Sequence, residues 1–168
     1  MQRLPAYQNS KVVIGWREWM VLPDLGIPAI KVKVDTGART SALHSDNIEF
    51  FENNSEPWVR FRVYPLRNRP KLTVTCTAPL LGQRMVRDSG GHPELRYVIV
   101  TKLSLHGLEW ESEITLTSRK TMLFRMLLGR TAINRGFLLD PNISFTAGPR
   151  PPLAMLYPKI KIPKRPLP

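Results

Sequence analysis

Cysteine is nearly absent from this chain. Cys76 stands alone, so no intrachain disulfide forms, and one cysteine with three histidines is thin material for a structural metal site. Long apolar runs are missing too, which excludes a helical membrane span, and Met1-Gln2-Arg3-Leu4-Pro5 has no apolar stretch of the signal-peptide kind. The expected compartment is therefore the cytoplasm, with no membrane partner. No His-Glu-x-x-His occurs, and no Gly-x-x-x-x-Gly-Lys-Ser/Thr loop to cradle phosphates, so no metal site and no cofactor is expected. Acids are scarce: 13 Asp and Glu against 25 Lys and Arg leave a net charge of +12, which favours nucleic acid, anionic lipid or an acidic polypeptide as a neighbour.

What is present is enough for one domain. The chain has 168 residues, 42% hydrophobic and 23% charged, and a chain of this length buries roughly two-thirds of its unfolded surface. Residues 1–10 read as an N-terminal extension, 11–147 as the body and 148–168 as an arm. The arm carries Arg150, Lys159, Lys161, Lys164 and Arg165 with no acid. Seven prolines in its last twenty residues deny it helix and sheet hydrogen bonds and predict an extended form, either a solvated extension or a docking strand for a partner or nucleic acid.

Strand periodicity dominates the body. Ala29-Ile30-Lys31-Val32-Lys33-Val34 sets Ile30, Val32 and Val34 against two lysines, and Val59, Phe61 and Val63 alternate with Arg60 and Arg62 in the same way. Leu95, Tyr97, Ile99, Leu103 and Leu105 share a face before His106-Gly107 turns the chain into Leu108–Leu116, a hairpin signal. Only Thr131–Arg135, closed by Gly136, reads as helical. Many short strands with turns between them imply an all-β barrel or sandwich.

Chemistry concentrates at Val34-Asp35-Thr36-Gly37-Ala38, where an alternating strand runs into a loop. A carboxylate there holds a water, and two such carboxylates sharing one proton deprotonate that water while protonating a peptide carbonyl. Thr36 is expected to stiffen the loop by donating its hydroxyl to backbone, Gly37 lets the chain turn, and Ala38 leaves room beside the carboxylate. The tripeptide alone is weak evidence. Its companion is Met126-Leu127-Leu128-Gly129-Arg130, a hydrophobic strand ending in Gly-Arg just before the short helix.

Asp35-Thr36-Gly37-Ala38 followed by Leu127-Leu128-Gly129-Arg130 resembles the retropepsin-like aspartic peptidases. With Ile14–Glu18, Leu25–His44 and Phe137–Pro141, the match is closest to the bacterial branch named ATP-dependent zinc proteases, RimB-like proteins associated with the ligase RimK. The resemblance covers about residues 11–147. It implies a closed acid-protease barrel with one short helix after the Leu-Leu-Gly-Arg strand, in which the hydrophobic-Gly strand crosses beneath the Asp-Thr-Gly loop.

For function, the resemblance implies an aspartic endopeptidase. Asp35, Thr36 and Gly37 would be its catalytic loop and Leu128, Gly129 and Arg130 its support. Ala38, Arg39, Gly90 and Gly91 are the expected substrate contacts. Asp88-Ser89-Gly90 is a second Asp-Ser/Thr-Gly, but it lies only 53 residues after Asp35, too close for two lobes. Ser89-Gly90-Gly91 reads better as a flap tip, with Arg67-Asn68-Arg69-Pro70 as a rival. The dyad then requires a symmetric homodimer, the alternative being a barrel complete as a monomer with one Asp35.

Arg39 stands where viral members commonly carry an acid, which leaves Arg130 without that partner. Arg39, Arg60, Arg62 and Arg67 are candidates for a positive groove, and the link to a glutamate ligase makes an acidic, poly-glutamate substrate the expectation. The other reading is a non-catalytic barrel that binds a RimK-type ligase, ribosomal protein or RNA. A zinc reading rests on His44 alone, and any dependence on ATP would have to come from a partner.

Overall fold

The computed structural model describes residues 11–88, 90–133 and 136–158. Ten strands carry the fold: β1 (Val12–Gly15), β2 (Arg17–Leu22), β3 (Ile27–Val34), β4 (Ser41–Asn53), β5 (Glu56–Val63), β6 (Val74–Arg87), β7 (Pro93–Leu105), β8 (Leu108–Thr117), β9 (Met126–Leu128) and β10 (Phe137–Asp140). Two one-turn helices, α1 (Arg130–Ile133) and α2 (Leu153–Leu156), follow β9 and β10. The expected helix over Thr131–Arg135 thus begins one residue earlier, while Asn134 and Arg135 lie outside the described residues.

The main sheet closes on itself, which removes its edges. Hydrogen bonding runs β2-β3-β9-β4, passes from β4 to β8 and β7, and returns to β2 where Val21 pairs with Ser104. This is the closed all-β barrel that the family resemblance implies, where the alternating strands alone left barrel or sandwich open. Its interior is filled by the in-phase apolar residues: Ile30 and Val32 of β3, Val59, Phe61 and Val63 of β5, and Ile99 and Leu103 of β7 are all 2% exposed or less. Leu95 departs from expectation and is mostly exposed. The outer ends of β6 and β7, paired from Gly82–Val98 to Arg87–Pro93, project as a hairpin whose Met85 and Leu95 face each other in the open.

β9 is the strand that positions the site. It lies parallel to β3, with Val34 opposite Leu128, and antiparallel to β4, with Ala42 opposite Leu127. A three-residue strand wedged between two others is apolar on both faces, hence the run Met126-Leu127-Leu128.

Glu18 is inside, fully buried, in phase with Met20 and Leu22. It is tolerated because its carboxylate accepts hydrogen bonds from Gly15 N (2.7 Å), Thr146 N (2.9 Å) and Thr146 Oγ1 (2.7 Å). It thereby ties the segment after β10 to the barrel wall. A Cβ on Gly15 would overlap the backbone of Ile143, so only glycine lets this crossing occur.

The arm is not extended at its start. From Pro151 to Tyr157 it folds back on the barrel, making α2, and the buried Tyr157 hydroxyl donates to Ala29 O at 2.6 Å and accepts from Ala29 N at 3.3 Å. Arg69 Nη1 adds a bond to Tyr157 O at 2.7 Å. Prolines at 151 and 152 sit where a helix begins, and there a missing N–H costs nothing. Leu66, Leu72, Leu153 and Leu156 cover the ring, so the apolar residues among the prolines decide the outcome. Residues 159–168, with most of the arm's charge, lie outside the described residues, as does the N-terminal extension 1–10.

Candidate active site

Asp35 is the first residue beyond β3, and its backbone is pinned on both flanks. Val34 N donates to Trp16 O at 2.8 Å, and Asp35 N to Leu128 O at 2.9 Å. The loop then turns on itself. Gly37 N donates to Asp35 Oδ1 at 3.0 Å, and Ala38 N to Asp35 O at 3.3 Å. One carboxylate oxygen is thereby held in place. Among the described residues the other finds no hydrogen-bond partner, and the side chain is half-buried.

Leu128, Gly129 and Arg130 meet this loop from below. Arg130 N donates to Ala38 O at 2.9 Å, and Thr131 N to Arg39 O at 3.0 Å. Gly129 N donates to Ser41 Oγ at 3.0 Å, and a Cβ on Gly129 would stand 2.6 Å from the Thr40 carbonyl carbon and 2.9 Å from Arg39 O. Close approach of two backbones therefore explains the glycine. Arg130 is not idle for want of an acid at position 39: its Nη1 donates to Thr36 O at 2.8 Å and Gly37 O at 3.1 Å. Stiffness comes from this guanidinium. The expected hydroxyl bond from Thr36 is not made, because the side chain is exposed and has no hydrogen-bond partner among the described residues. Arg39 is exposed as well, and Ala38 is half-buried beside Asp35.

Gly90 and Gly91 lie at the tip of the β6–β7 hairpin, exposed, with Gly91 at φ 82°. Asp88 belongs to this turn. Its carboxylate accepts from His92 N at 2.8 Å, and bonds from the turn's backbone, led by that one, hold it below the usual carboxylate range. The hairpin reaches back to the Asp35 loop through Arg84, whose Nη1 lies 3.4 Å from Thr40 Oγ1 and whose Nη2 pairs with Glu113 at 2.7 Å. The rival flap, Arg67–Pro70, is tied down by Arg69 and packs beneath α2.

Of the four arginines expected to line a positive groove, two are already neutralised: Arg60 pairs with Glu49 at 3.7 Å and Arg62 with Asp46 at 3.0 Å. These are cross-strand β4–β5 pairs, set by the register Glu49–Arg60 and Asp46–Arg62. A cation that the sequence did not single out feels the site's charge. Burial, with the Arg96 charge, pushes the Arg119 guanidinium down, and the Asp35 carboxylate opposes that shift, so Arg119 lies within the field of the site.

His44 does not fit a zinc site. It is 4% exposed, stacked on Tyr64, and its Nδ1 accepts from Arg119 N at 2.9 Å. Burial first, and then the Arg125 charge, lowers its pKa. His92 is at the hairpin tip and His106 bonds Thr146 at 2.8 Å, so the three imidazoles serve separate places. Among the described residues no three potential ligands converge.

The sequence model of a family described as "RimB-like: Retropepsin-like aspartic endopeptidase RimB" matches residues 13–150. Proteins named "Probable alpha-L-glutamate ligase" are similar: that of Shewanella pealeana is 45% identical over 140 residues, covering 83% of this chain and 31% of its own length. The one from Desulfotalea psychrophila is 44% identical over 139 residues, covering 83% and 30%. The chain thus spans about a third of the curated relatives it matches. A crystal structure of a Legionella pneumophila protein of unknown function superposes with a TM-score of 0.71 at 28% identity, covering 83% of this chain and all of that one.

Proposed function

The chain belongs to the RimB-like family of retropepsin-like aspartic endopeptidases, and from that premise we propose that it hydrolyses peptide bonds with Asp35 as its acid/base. The observation that carries this reading is the Asp35 carboxylate, one oxygen held by Gly37 N–H and the other open, on a loop braced by Arg130. In a homodimer, Asp35 of each protomer faces its mate across a twofold axis and the pair shares one proton. The ionised carboxylate takes a proton from the bound water as that water attacks the scissile carbonyl carbon. The protonated one gives its proton to the carbonyl oxygen. The carboxyl that took the water's proton then passes it to the scissile nitrogen as the C–N bond breaks and the amine leaves, while the collapsing diol returns a proton to the other carboxylate and restores the pair. The β6–β7 hairpin closes over the substrate and excludes bulk water.

The substrate in this reading is acidic, a poly-glutamate tail. Arg39, exposed on the loop that follows Asp35, and Arg119 supply its recognition, and similarity to part of longer proteins named as probable alpha-L-glutamate ligases supports a glutamate-bearing substrate. The test is hydrolysis of a glutamate-rich peptide by the full chain. Activity should vanish in Asp35→Asn with the fold intact, persist in chelator, and rise with the dimer fraction on dilution series. Hydrolysis by Asp35→Asn, or by a species that sediments only as monomer, overturns it.

The chain's coverage of about a third of longer ligase-named proteins favours one second reading. Here the barrel is a non-catalytic partner that regulates a RimK-type ligase. In that case Asp35→Asn leaves ligase binding unchanged and no peptide is cut. A nucleic-acid role through the basic tail would instead show as binding that falls steeply with salt.

A further inference from the structure

A concave site opens on the barrel wall, and the Asp35 carboxylate is not among the groups that line it. It is a cavity of about 500 Å3, within the range of ligand pockets. Arg17, Lys31, Arg67, Arg125 and Arg150 line it, and none of its lining residues is acidic. Four arginines outside it, Arg60, Arg62, Arg84 and Arg96, each pair with a carboxylate. Here five cations gather with none. Burial, and after it the charges of Arg17 and Arg150, lowers the Lys31 pKa, which records the crowding.

The site is built rather than incidental. Arg125 is 9% exposed, its Nη1 is anchored to Lys120 O at 2.9 Å, and its buried Nε has no hydrogen-bond partner. Cations and rings interleave around it: Arg17 lies 4.9 Å and Lys31 5.5 Å from the Phe145 ring, and Lys31 is 5.2 Å from Trp19. The far wall comes from the folded-back arm, through Arg150 and Leu153, so the Tyr157 anchor holds this cavity together.

We propose that this cavity is a docking site for the side-chain carboxylates of an acidic peptide, a place where a glutamate-rich chain is gripped at a distance from the bond being cut. The choice of ligand rests on the acidic-substrate reading above; the existence of the site does not. Charge spread around the rim suits several carboxylates better than one compact anion, since each arginine fork takes one carboxylate in two hydrogen bonds. Leu66, Leu123 and Phe124 offer apolar surface to the methylene stems of glutamate. Lys31 lies in β3 four residues before Asp35, about 13 Å at the rise of a β-strand, so an extended substrate spans the two sites with about four residues.

The test uses the full chain carrying Asp35→Asn, so that nothing is cut, with fluorescein-labelled hexaglutamate read by anisotropy. Adding Arg67→Glu and Arg150→Glu, both exposed side chains, should weaken binding at least tenfold. Lys11→Glu with Lys102→Glu, the same change in net charge elsewhere, should alter it less than about twofold. Equal binding with and without the Arg67/Arg150 changes overturns the proposal, and so does equal loss from the control pair. Tripolyphosphate binding that needs Arg67 and Arg150 while hexaglutamate does not bind would also overturn it, by assigning the site to phosphate. The two readings fail separately. If the Asp35 chain cuts nothing but hexaglutamate binding still depends on Arg67 and Arg150, the peptidase is lost and the docking site stands. If acidic peptides are cut equally well with Arg67 and Arg150 reversed, the peptidase stands and the docking site is lost.

Discussion

Asp35-Thr36-Gly37 and Asp88-Ser89-Gly90 carry the same kind of tripeptide in one chain, yet the barrel treats them differently. Asp35 follows a buried strand, and its loop rests on a second chain segment that arrives 95 residues later, with hydrogen bonds from Arg130 N, Arg130 Nη1 and Thr131 N. Asp88 follows a strand end in solvent, and its carboxylate is spent on His92 N–H within its own turn. The difference teaches that local chemistry makes an Asp-Ser/Thr-Gly turn, and that only packing from a distant strand braces the carboxylate's loop from outside that turn.

The sharpest way to break that comparison is to neutralise each acid in turn. Asp35→Asn should cost about a thousandfold or more in kcat/KM, whereas Asp88→Asn should stay within about threefold; similar losses for both would void the contrast. Glycine is the next probe. Gly129→Ala forces a Cβ into the Thr40 and Arg39 backbone and should destabilise by about 2–3 kcal/mol, measured by urea unfolding. Gly90→Ala meets the movable His92 ring at 3.0 Å and the Asp88 side chain at 3.3 Å, with no backbone in the way, and should change stability by less than about 1 kcal/mol. Arg130→Met removes both side-chain bonds to the loop and should lower kcat/KM about ten- to a hundredfold with the fold kept, through misplacement of the carboxylate.

Titration gives the smallest effects and separates the regions again. His44 is held neutral, with a folded pKa below its ordinary 6.5, so the unfolded chain binds the proton first as pH falls. Stability is fully present above 6.5 and declines as pH drops from there to the folded pKa. Melting curves between pH 7 and 5 should show this decline, and His44→Gln should flatten it. Asp88, depressed by its turn, contributes in the opposite sense of ionisation: its stabilisation is present above the ordinary carboxylate pKa of 3.8 and lost as pH falls through the lower folded value. Asp88→Asn should remove only that acid-side slope, because the group is exposed.

Much of the barrel was legible in the chain because alternation has a physical period. Ile30-Lys31-Val32-Lys33-Val34 admits no other reading, and the β7–β8 hairpin turns at His106-Gly107 as expected. The meeting of Leu128-Gly129-Arg130 with the Asp35 loop was legible only through family resemblance, since nothing local says which strand a Leu-Leu-Gly run will join. Glu18 was missed, although a glutamate in phase with Met20 and Leu22 was a signal that a buried acceptor was needed. Arg119, Arg125 and the Tyr157 anchor left no such trace. Proline content misled for the arm because it limits backbone hydrogen bonds without saying where Tyr157 and its leucine neighbours will bury themselves.

By itself the sequence determined which segments are strands, which faces are apolar, and that one carboxylate sits on a Gly-containing loop at a strand end; these follow from side-chain alternation and backbone freedom over a few residues. Tertiary structure alone decided that Arg130 braces the loop, that Arg60 and Arg62 are neutralised across β4–β5, and that five uncompensated cations share one cavity with the returning arm. Charges and hydrogen bonds act through space over a few ångströms, and which groups come that close is set by the closure of the barrel.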